Sequence, residues 1–222
     1  MFFGTNMKPL KKKILVTGFS PFGGDSFNPS FEAVKLLPDR IKENEVIKAE
    51  LPVVFGGAEV IKAELPVVFE DAAKLLQSLI EEHKPNAVLC TGLAGGRNAI
   101  TPEVIAVNLR SAKIPDNSGR QPVWEKIVPD GPDGLFSSLP VRRMVDALTA
   151  DDIPAALSFS AGTFVCNEVM YRVLLAQREH FPDMQAGFVH VPYAEEFPHP
   201  EGKFAMPLEE IARGLGICVK CL

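Results

Sequence analysis

The sequence predicts an α/β fold: a single three-layer α/β/α domain built on a central, largely parallel, mixed and twisted sheet. The main observation is that strand-like apolar runs alternate with segments whose apolar residues recur at helical spacing. Such alternation is typical of a parallel sheet covered on both faces. The second observation is size, because 222 residues, 46% of them hydrophobic, can bury one full core. We therefore expect one domain over residues 1–222, with residues 1–12 as an N-terminal extension.

The first half of the chain predicts a strand, a turn-rich loop, and then helices and strands in turn. Glycine and proline mark the loops, and helical spacing marks the helices. The predicted elements are, in order, a strand at Lys13–Gly18, a loop at Phe19–Gly24, a helix at Ser30–Leu37, a helix at Asp71–His83, a strand at Asn86–Thr91 and a turn at Gly92–Arg97.

The second half continues the same alternation, with long irregular stretches at 110–135 and 193–206. Long loops are where functional sites tend to lie. The predicted elements are a strand at Glu103–Leu109, a loop at Ile114–Gly119, a helix at Val141–Leu148, a strand at Ala155–Ser160, a helix after Cys166, a strand at Ala186–Val191 and a helix from about Pro207.

One segment is duplicated without change. Glu45–Phe55 recurs as Glu59–Phe69 with a period of 14 residues. A solenoid needs about three repeats of roughly 20 or more residues, so we interpret residues 45–69 as a tandem duplication of one strand segment. Identical copies are equally able to pair, so the sequence leaves open which copy enters the sheet. The other copy should lengthen the ribbon or form an extruded loop.

Composition argues against several classes of protein. A net charge of −5 and a pI near 5.5 provide no field that attracts nucleic acid. No apolar stretch approaches the roughly 18 residues that cross a bilayer, and the first residues lack the apolar core of a signal peptide. We expect a cytoplasmic protein whose four cysteines are reduced. Cys218 and Cys221 have the spacing of half a zinc site, but no second pair completes it, so we interpret them as a helix end.

Cys166 is a candidate nucleophile because it lies where a helix is predicted to begin. Unpaired backbone N–H groups and the helix dipole stabilise a thiolate at that position. The segment taken alone also fits a small buried hydrophobic side chain, which is the commoner role of a free cysteine.

Two further residue types complete a possible catalytic set. His190 lies near the end of the predicted strand Ala186–Val191, and ligands of open α/β sheets bind beyond the carboxyl ends of strands. A histidine that accepts a thiol proton needs a third group to orient it. Glu103 and Asp116 are both candidates for that group, although Asp116 is also explained by an Asx turn.

The sequence predicts neither a metal nor a cofactor. The glycine turn Gly92–Arg97 matches no phosphate-binding motif, and Glu103 after it leads to a strand instead of a helix. No zinc-protease motif or paired aspartates appear. This weakens a nucleoside-phosphorylase-like alternative, which would need a phosphate site.

Five motifs, taken in order, resemble the type I pyroglutamyl peptidases, also called pyrrolidone-carboxylate peptidases. Any one of them is weak evidence, but the five together cover most of the chain. The motifs are Thr17–Gly24 with Asn28-Pro29, Gly95–Glu103, Ile114–Asn117, Ala161–Asn167 and Gly187–Pro192.

The resemblance implies a cysteine exopeptidase that removes N-terminal pyroglutamate from peptides through a thioester, without a cofactor. It implies a triad of Cys166, His190 and Glu103, a three-layer α/β fold, and commonly a homotetramer. Two alternatives remain: a cysteine amidase acting on another small cyclic acyl group, and a binding protein on the same fold with impaired chemistry.

By the same resemblance, Phe19 and Phe22 sandwich the pyroglutamyl ring, with Phe164 and Val165 nearby. The chain departs from its relatives at Lys113, where they carry an arginine that helps to polarise the scissile carbonyl. Lysine keeps the charge but lacks the planar fork of arginine. We therefore expect a lower turnover instead of an inactive enzyme.

Overall fold

The computed structural model describes residues 12–41 and 57–222 of the chain. Within these ranges the strands are β1 (Lys12–Phe19), β2 (Arg40–Ile41), β3 (Ala58–Leu65), β4 (Ala87–Leu93), β5 (Thr101–Pro102), β6 (Ile105–Val107), β7 (Gly134–Phe136), β8 (Gln185–Val191), β9 (Tyr193–Ala194) and β10 (Ala205–Met206). The helices are α1 (Pro29–Leu36), α2 (Asp71–His83), α3 (Val141–Ala150), α4 (Val165–His180) and α5 (Leu208–Lys220). No helix in the described part of the chain has the length and apolar character to cross a membrane.

Within the described residues, the main sheet has six strands in the order β2-β3-β1-β4-β8-β5. The four central strands run parallel, and the short edge strands β2 and β5 are antiparallel to their neighbours. Two small sheets, β6 with β7 and β9 with β10, lie outside it. The predicted α/β class with a mixed, largely parallel sheet is confirmed.

The core lies on both faces of this sheet. Along β1, Ile14 and Val16 belong to one apolar cluster while Leu15 belongs to the other, as alternation along a strand requires. Helices α1, α3 and α5 cover the first face, and α2 and α4 cover the second. Buried strands between two helical layers account for the continuous apolar runs in the sequence.

Helix α1 shows how the sequence sets local structure next to the loop Phe19–Gly24. The side chain of Asn28 accepts a hydrogen bond from the Ser30 N–H at 3.1 Å and caps the helix. Pro29 occupies the first turn, where its missing N–H costs nothing. The helix therefore begins one residue before its predicted start. The loop begins one residue later than predicted, because Phe19 is the last residue of β1.

The second copy of the duplicated segment forms β3. It pairs with β1 over its whole length, from Lys12 opposite Ala58 to Phe19 opposite Leu65. Ala58 is 4% exposed, so a small apolar residue fits there. The first copy, Glu45–Phe55, and the fate predicted for it lie outside the described residues.

Three predicted boundaries are wrong. Glu103–Leu109 is not one strand, because the chain leaves the main sheet after β5 and joins β7 through β6. Ala155–Ser160 forms only isolated bridges, among them Glu103 with Ser158. Strand β4 extends through Leu93, so Gly92 is in the strand and not in the turn. Periodicity shows that a segment is extended but does not show which partner it meets.

Candidate active site

His190 is the sixth residue of β8 and lies near the carboxyl end of that strand. It is 4% exposed. In the main sheet it lies opposite Gly92 of β4 on one side and Thr101 of β5 on the other. The ring of Phe188, two residues earlier on the same face, is 4.7 Å from the imidazole, centroid to centroid. His190 is thus held inside the sheet, as its predicted strand implied.

Glu103 reaches His190 because the chain turns out of the main sheet at this residue. Its N–H donates to the Phe188 carbonyl at 2.9 Å, which continues the β5–β8 pairing by one residue. The Glu103 side chain is fully buried, and its Oε1 lies 2.7 Å from His190 Nδ1. Burial raises the pKa of Glu103, but its interaction with His190 and hydrogen bonds from Ser158 and Arg97 together outweigh burial and keep that pKa below its usual value.

Burial is also the main influence on His190. It lowers the pKa of the imidazole, while Glu103 acts in the opposite direction and Arg97 acts with burial. The net shift is downward, so the imidazole is neutral at neutral pH and can accept a proton.

Arg97 is a site residue that sequence reasoning missed. Its Nη1 lies 2.5 Å from both Glu103 Oε1 and Thr101 Oγ1, and its Nη2 donates to the Ser160 carbonyl at 2.8 Å. The sequence does place Arg97 six residues before Glu103. However, it lies in a glycine turn that was considered only as a phosphate-binding loop.

That turn does not form a phosphate cradle. The N–H groups of Gly96 and Arg97 both donate to the carbonyl of Ala94, at 2.7 and 3.1 Å, and so are used within the turn. In residues 12–41 and 57–222, no group of three or more His, Cys, Asp or Glu side chains is placed to hold a metal ion.

Cys166 is the second residue of α4, so it lies in the first helical turn as predicted. The segment before it is a loop and not the predicted strand. The first N–H groups of a helix have no acceptor within the helix and favour negative charge there. The thiol is partly buried, and its Sγ would be 3.0 Å from a Cβ atom at Gly92, the residue opposite His190. Thiol and imidazole thus occupy neighbouring positions on one face of the sheet.

The thiol is protonated at neutral pH in this environment. Burial raises the pKa of Cys166 to about 12, and the charge of Glu103 adds to the effect. The residue's own backbone N–H and the charge of Arg97 act in the opposite direction. A neutral thiol beside a neutral imidazole suits general-base activation, in which the proton leaves during attack.

The two residues after Cys166 anchor this end of α4. Asn167 is fully buried and bonds the Val107 N–H and carbonyl, both at 2.9 Å, and the Leu109 carbonyl at 3.1 Å. Glu168 is buried against the guanidinium of Arg110 and accepts a hydrogen bond from the backbone N–H of Glu70. These bonds fix the position of Cys166 relative to β6 and the start of α2.

The predicted ring-binding residues fall into two groups. Phe22 and Phe164 are partly exposed, with ring centroids 5.1 Å apart. Phe19 and Val165 are buried, at 2% and 1% exposure, and Phe19 packs toward Phe188. Phe19 thus belongs to the core at the end of β1 and not to the predicted loop.

Asp116 does not meet His190. Its Oδ1 accepts from the N–H groups of Ser118 and Arg120, and its Oδ2 accepts from the Phe69 N–H at 2.8 Å. The Asx-turn interpretation is confirmed, and the alternative that Asp116 orients the histidine is wrong. Lys113, three residues earlier, is exposed.

The comparison with a family model agrees with this arrangement. The model of the pyroglutamyl peptidases matches residues 12–59 and again 55–222. The first match contains the first copy of the duplicated segment and the second match contains the second copy, so each copy fits the family pattern.

Curated relatives match over nearly the whole chain. A pyrrolidone-carboxylate peptidase 1 of Streptococcus pneumoniae is 44% identical over 211 residues, which cover 95% of this chain and 92% of the relative. A pyrrolidone-carboxylate peptidase of Lactobacillus helveticus is 41% identical over 208 residues, 94% of this chain and 97% of the relative.

Solved structures show the same fold. Pyroglutamyl peptidase I from Bacillus amyloliquefaciens superposes with a TM-score of 0.86 at 39% identity, covering 96% of this chain and 95% of that one. The pyrrolidone carboxyl peptidase from Thermococcus litoralis gives a TM-score of 0.82 at 38% identity, with 95% and 92% covered. The resemblance seen in five motifs is confirmed over the whole fold, and the chain belongs to the pyroglutamyl peptidase family.

Proposed function

We propose that this protein is a cysteine exopeptidase that removes N-terminal pyroglutamate from peptides, with residues 1–222 as one catalytic domain. The observation that carries the proposal is the buried contact of 2.7 Å between Glu103 Oε1 and His190 Nδ1, with Cys166 at a helix start on the same face of the sheet. Nucleophile, base and orienting group form the arrangement that acyl transfer requires. The relatives are named as pyrrolidone-carboxylate and pyroglutamyl peptidases, which identifies the acyl group as pyroglutamate.

The reaction follows from the protonation states. His190 accepts the Cys166 proton as the sulfur attacks the pyroglutamyl carbonyl carbon, and a C–S bond forms. His190 then returns the proton to the leaving amine as the C–N bond breaks, which leaves a thioester. Water hydrolyses the thioester with His190 again as base, releasing pyroglutamate and the thiol. Glu103 orients the imidazole and stabilises the imidazolium that forms twice in the cycle.

The substrate ring is small, uncharged and flat, so an apolar slot can select it. We assign the slot to Phe22 and Phe164, whose rings are in contact, with Phe19 and Val165 as its buried base. The exposed Lys113 is assigned to the scissile carbonyl. A pyroglutamyl group has no free α-amine, so no aminopeptidase-type carboxylate is needed.

We further infer a homotetramer in the cytoplasm. The tetramer rests on the family resemblance and is supported by large apolar side chains that are highly exposed in one chain, at Val123, Trp124, Phe136 and Phe159. The four cysteines are all free thiols, which suits a reducing compartment. Size-exclusion chromatography coupled to light scattering measures the molar mass of the assembly. A monomer at micromolar concentration would contradict the tetramer.

Release of a fluorophore from a pyroglutamyl amide tests the activity. We expect hydrolysis by the wild-type protein and none above background by Cys166→Ser. Cys221→Ala, which changes a thiol at the end of α5, is the matched control and should retain activity. Activity that survives Cys166→Ser would refute the proposal. Equal hydrolysis of a prolyl or alanyl amide would indicate the broader cysteine amidase instead.

A further inference from the structure

Glu103 receives two donors on a single oxygen atom. His190 Nδ1 lies 2.7 Å and Arg97 Nη1 lies 2.5 Å from Glu103 Oε1. The carboxylate is fully buried, whereas the Arg97 side chain is 27% exposed. Arg97 thus reaches from the surface turn after β4 to a charge in the interior.

A buried carboxylate needs a compensating positive charge, because burial removes its hydration. His190 does not supply that charge in the resting enzyme, since burial keeps its imidazole neutral. Arg97 does supply it, and a charge-assisted hydrogen bond of this kind is among the stronger ones in proteins. Glu103 and Arg97 are the ionisable groups that act on the imidazole. The same two groups and the buried Cys90 thiol act on Cys166.

The same guanidinium also holds the loop that leads to the cysteine. Arg97 Nη2 donates to the Ser160 carbonyl at 2.8 Å, and Ser160 Oγ accepts from the Gly162 N–H at 3.2 Å. Only three residues lie between Gly162 and Cys166. One side chain therefore connects the acid, which orients the base, with the segment that presents the thiol.

We propose that Arg97 is a positioning residue of the reaction, which keeps Glu103 ionised and aimed at His190 and fixes the loop before Cys166. The inference rests on the function proposed above. Because its positive charge opposes protonation of His190, Arg97 adds to the effect of burial in lowering the pKa of the imidazole.

The test compares kcat and the pH profile of kcat/KM for Arg97→Gln, Arg97→Lys and the wild type on the pyroglutamyl amide. We expect Arg97→Gln to lose roughly 10- to 100-fold in kcat, the range of a lost hydrogen bond between charged groups. Its acidic limb should move to higher pH, since the charge that lowers the pKa of His190 is gone. Arg97→Lys keeps the charge, so its acidic limb should stay near that of the wild type while kcat is intermediate.

Chemical rescue separates positioning from mere support of the fold. Arg97→Ala should regain activity when guanidinium is added at non-denaturing concentration, because the partly exposed site admits the ion. Arg213→Gln removes an arginine paired with Asp151, away from the site, and should behave as the wild type with and without guanidinium.

The results distinguish failure of the role proposed for Arg97 from failure of the proposed peptidase function. An Arg97→Gln enzyme with wild-type kcat, or a slower one with an unchanged acidic limb, would overturn this inference while leaving the peptidase activity in place. An Arg97→Ala enzyme that guanidinium does not rescue would also overturn it. If Arg97→Gln does not fold, a shifted acidic limb in Arg97→Lys would also overturn it. A wild-type protein that does not hydrolyse the amide would overturn the proposed function first.

Discussion

Gly92 leaves the space in which the candidate catalytic groups meet. A Cβ atom there would lie 2.9 Å from the Phe188 ring and 3.0 Å from Cys166 Sγ. Both distances are shorter than ordinary carbon or sulfur contacts, so any side chain at this position must displace the ring or the thiol.

We expect Gly92→Ala to lower kcat by roughly 100-fold, because a displacement of about 1 Å of a reacting group has that effect. Overpacking should also cost about 1–3 kcal/mol of stability. Gly96→Ala is the matched control, since a Cβ atom at Gly96 meets nothing within 4 Å. Kinetics and thermal melts of both variants measure the difference. Equal kcat for the two would show that the space at Gly92 is not needed.

Lys113 is exposed and is assigned to the scissile carbonyl. We expect Lys113→Arg to raise kcat by about fivefold, the equivalent of roughly 1 kcal/mol from one additional hydrogen bond. The planar fork of arginine can make two parallel bonds where lysine makes one. Steady-state kinetics on the pyroglutamyl amide measures it, and an unchanged kcat would remove Lys113 from the assigned role.

The site residues differ in how far the sequence predicts them. Cys166 and His190 are marked by local signals, a helix start and a strand end. Glu103 and Asp116 are not distinguished locally, and only the pairing of β5 with β8 brings Glu103 to the imidazole. Arg97 and Gly92 matter through contacts across the fold, which leave no periodic pattern in the sequence.

At the scale of elements, the duplicated segment has a preferred copy for a physical reason. Ile41 of β2 lies opposite Ala58 of β3 in antiparallel pairing. The two copies are identical, so the choice between them rests on what precedes each, Gly56-Gly57-Ala58 before the second and Lys42-Glu43-Asn44 before the first. Ala58 is buried, and an asparagine at its position would bury an amide.

Two deletions of one period each test this explanation. Removing residues 42–55 leaves Gly56-Gly57 between Ile41 and Ala58, a two-residue turn of a favoured type. Removing residues 56–69 leaves Lys42-Glu43 as the turn and places Asn44 opposite Ile41. The proteins have equal length and differ only in these three residues. We expect both to fold, with the first more stable by roughly 1–3 kcal/mol from turn type and amide burial.

Urea denaturation of the two deletion proteins measures the difference in the free energy of unfolding. The full-length chain serves as the reference, and its pyroglutamyl amide hydrolysis should be retained by the first deletion protein. If the second protein is as stable as the first, the residues before β3 do not select the copy. If neither folds, one copy is insufficient for this sheet.

At the scale of the whole molecule, buried ionisable groups make stability depend on pH. The pKa of His190 is lowered from 6.5, so between that lowered pKa and 6.5 the unfolded chain binds a proton that the folded chain does not. The pKa values of Glu103 and Asp116 are lowered from 4.5 and 3.8; burial opposes this in both, but hydrogen bonds outweigh it. All three groups therefore lower the free energy of unfolding as the pH falls.

We expect the melting temperature to fall as the pH is lowered from about 7 toward 4, first through His190 and then through the carboxylates. Differential scanning calorimetry across this range measures it. His190→Asn removes the first contribution, so its melting temperature should change less between pH 7 and 5 than that of the wild type. A wild-type melting temperature that rises on acidification would contradict the burial of a neutral imidazole.

Local residue patterns were enough to predict the alternation of strands and helices, the position of Cys166 in the first turn of α4, and the family to which the chain belongs. These properties depend on periodicity, capping and short motifs, which act between residues close together along the chain. Residue patterns left Glu103 and Asp116 both open, and the family resemblance implied Glu103. Only strand pairing in the fold shows that Glu103 meets His190, that Arg97 shares that carboxylate, and that the second copy forms β3. Those outcomes depend on which strands pair and on contacts between residues distant in sequence, and no local pattern encodes them.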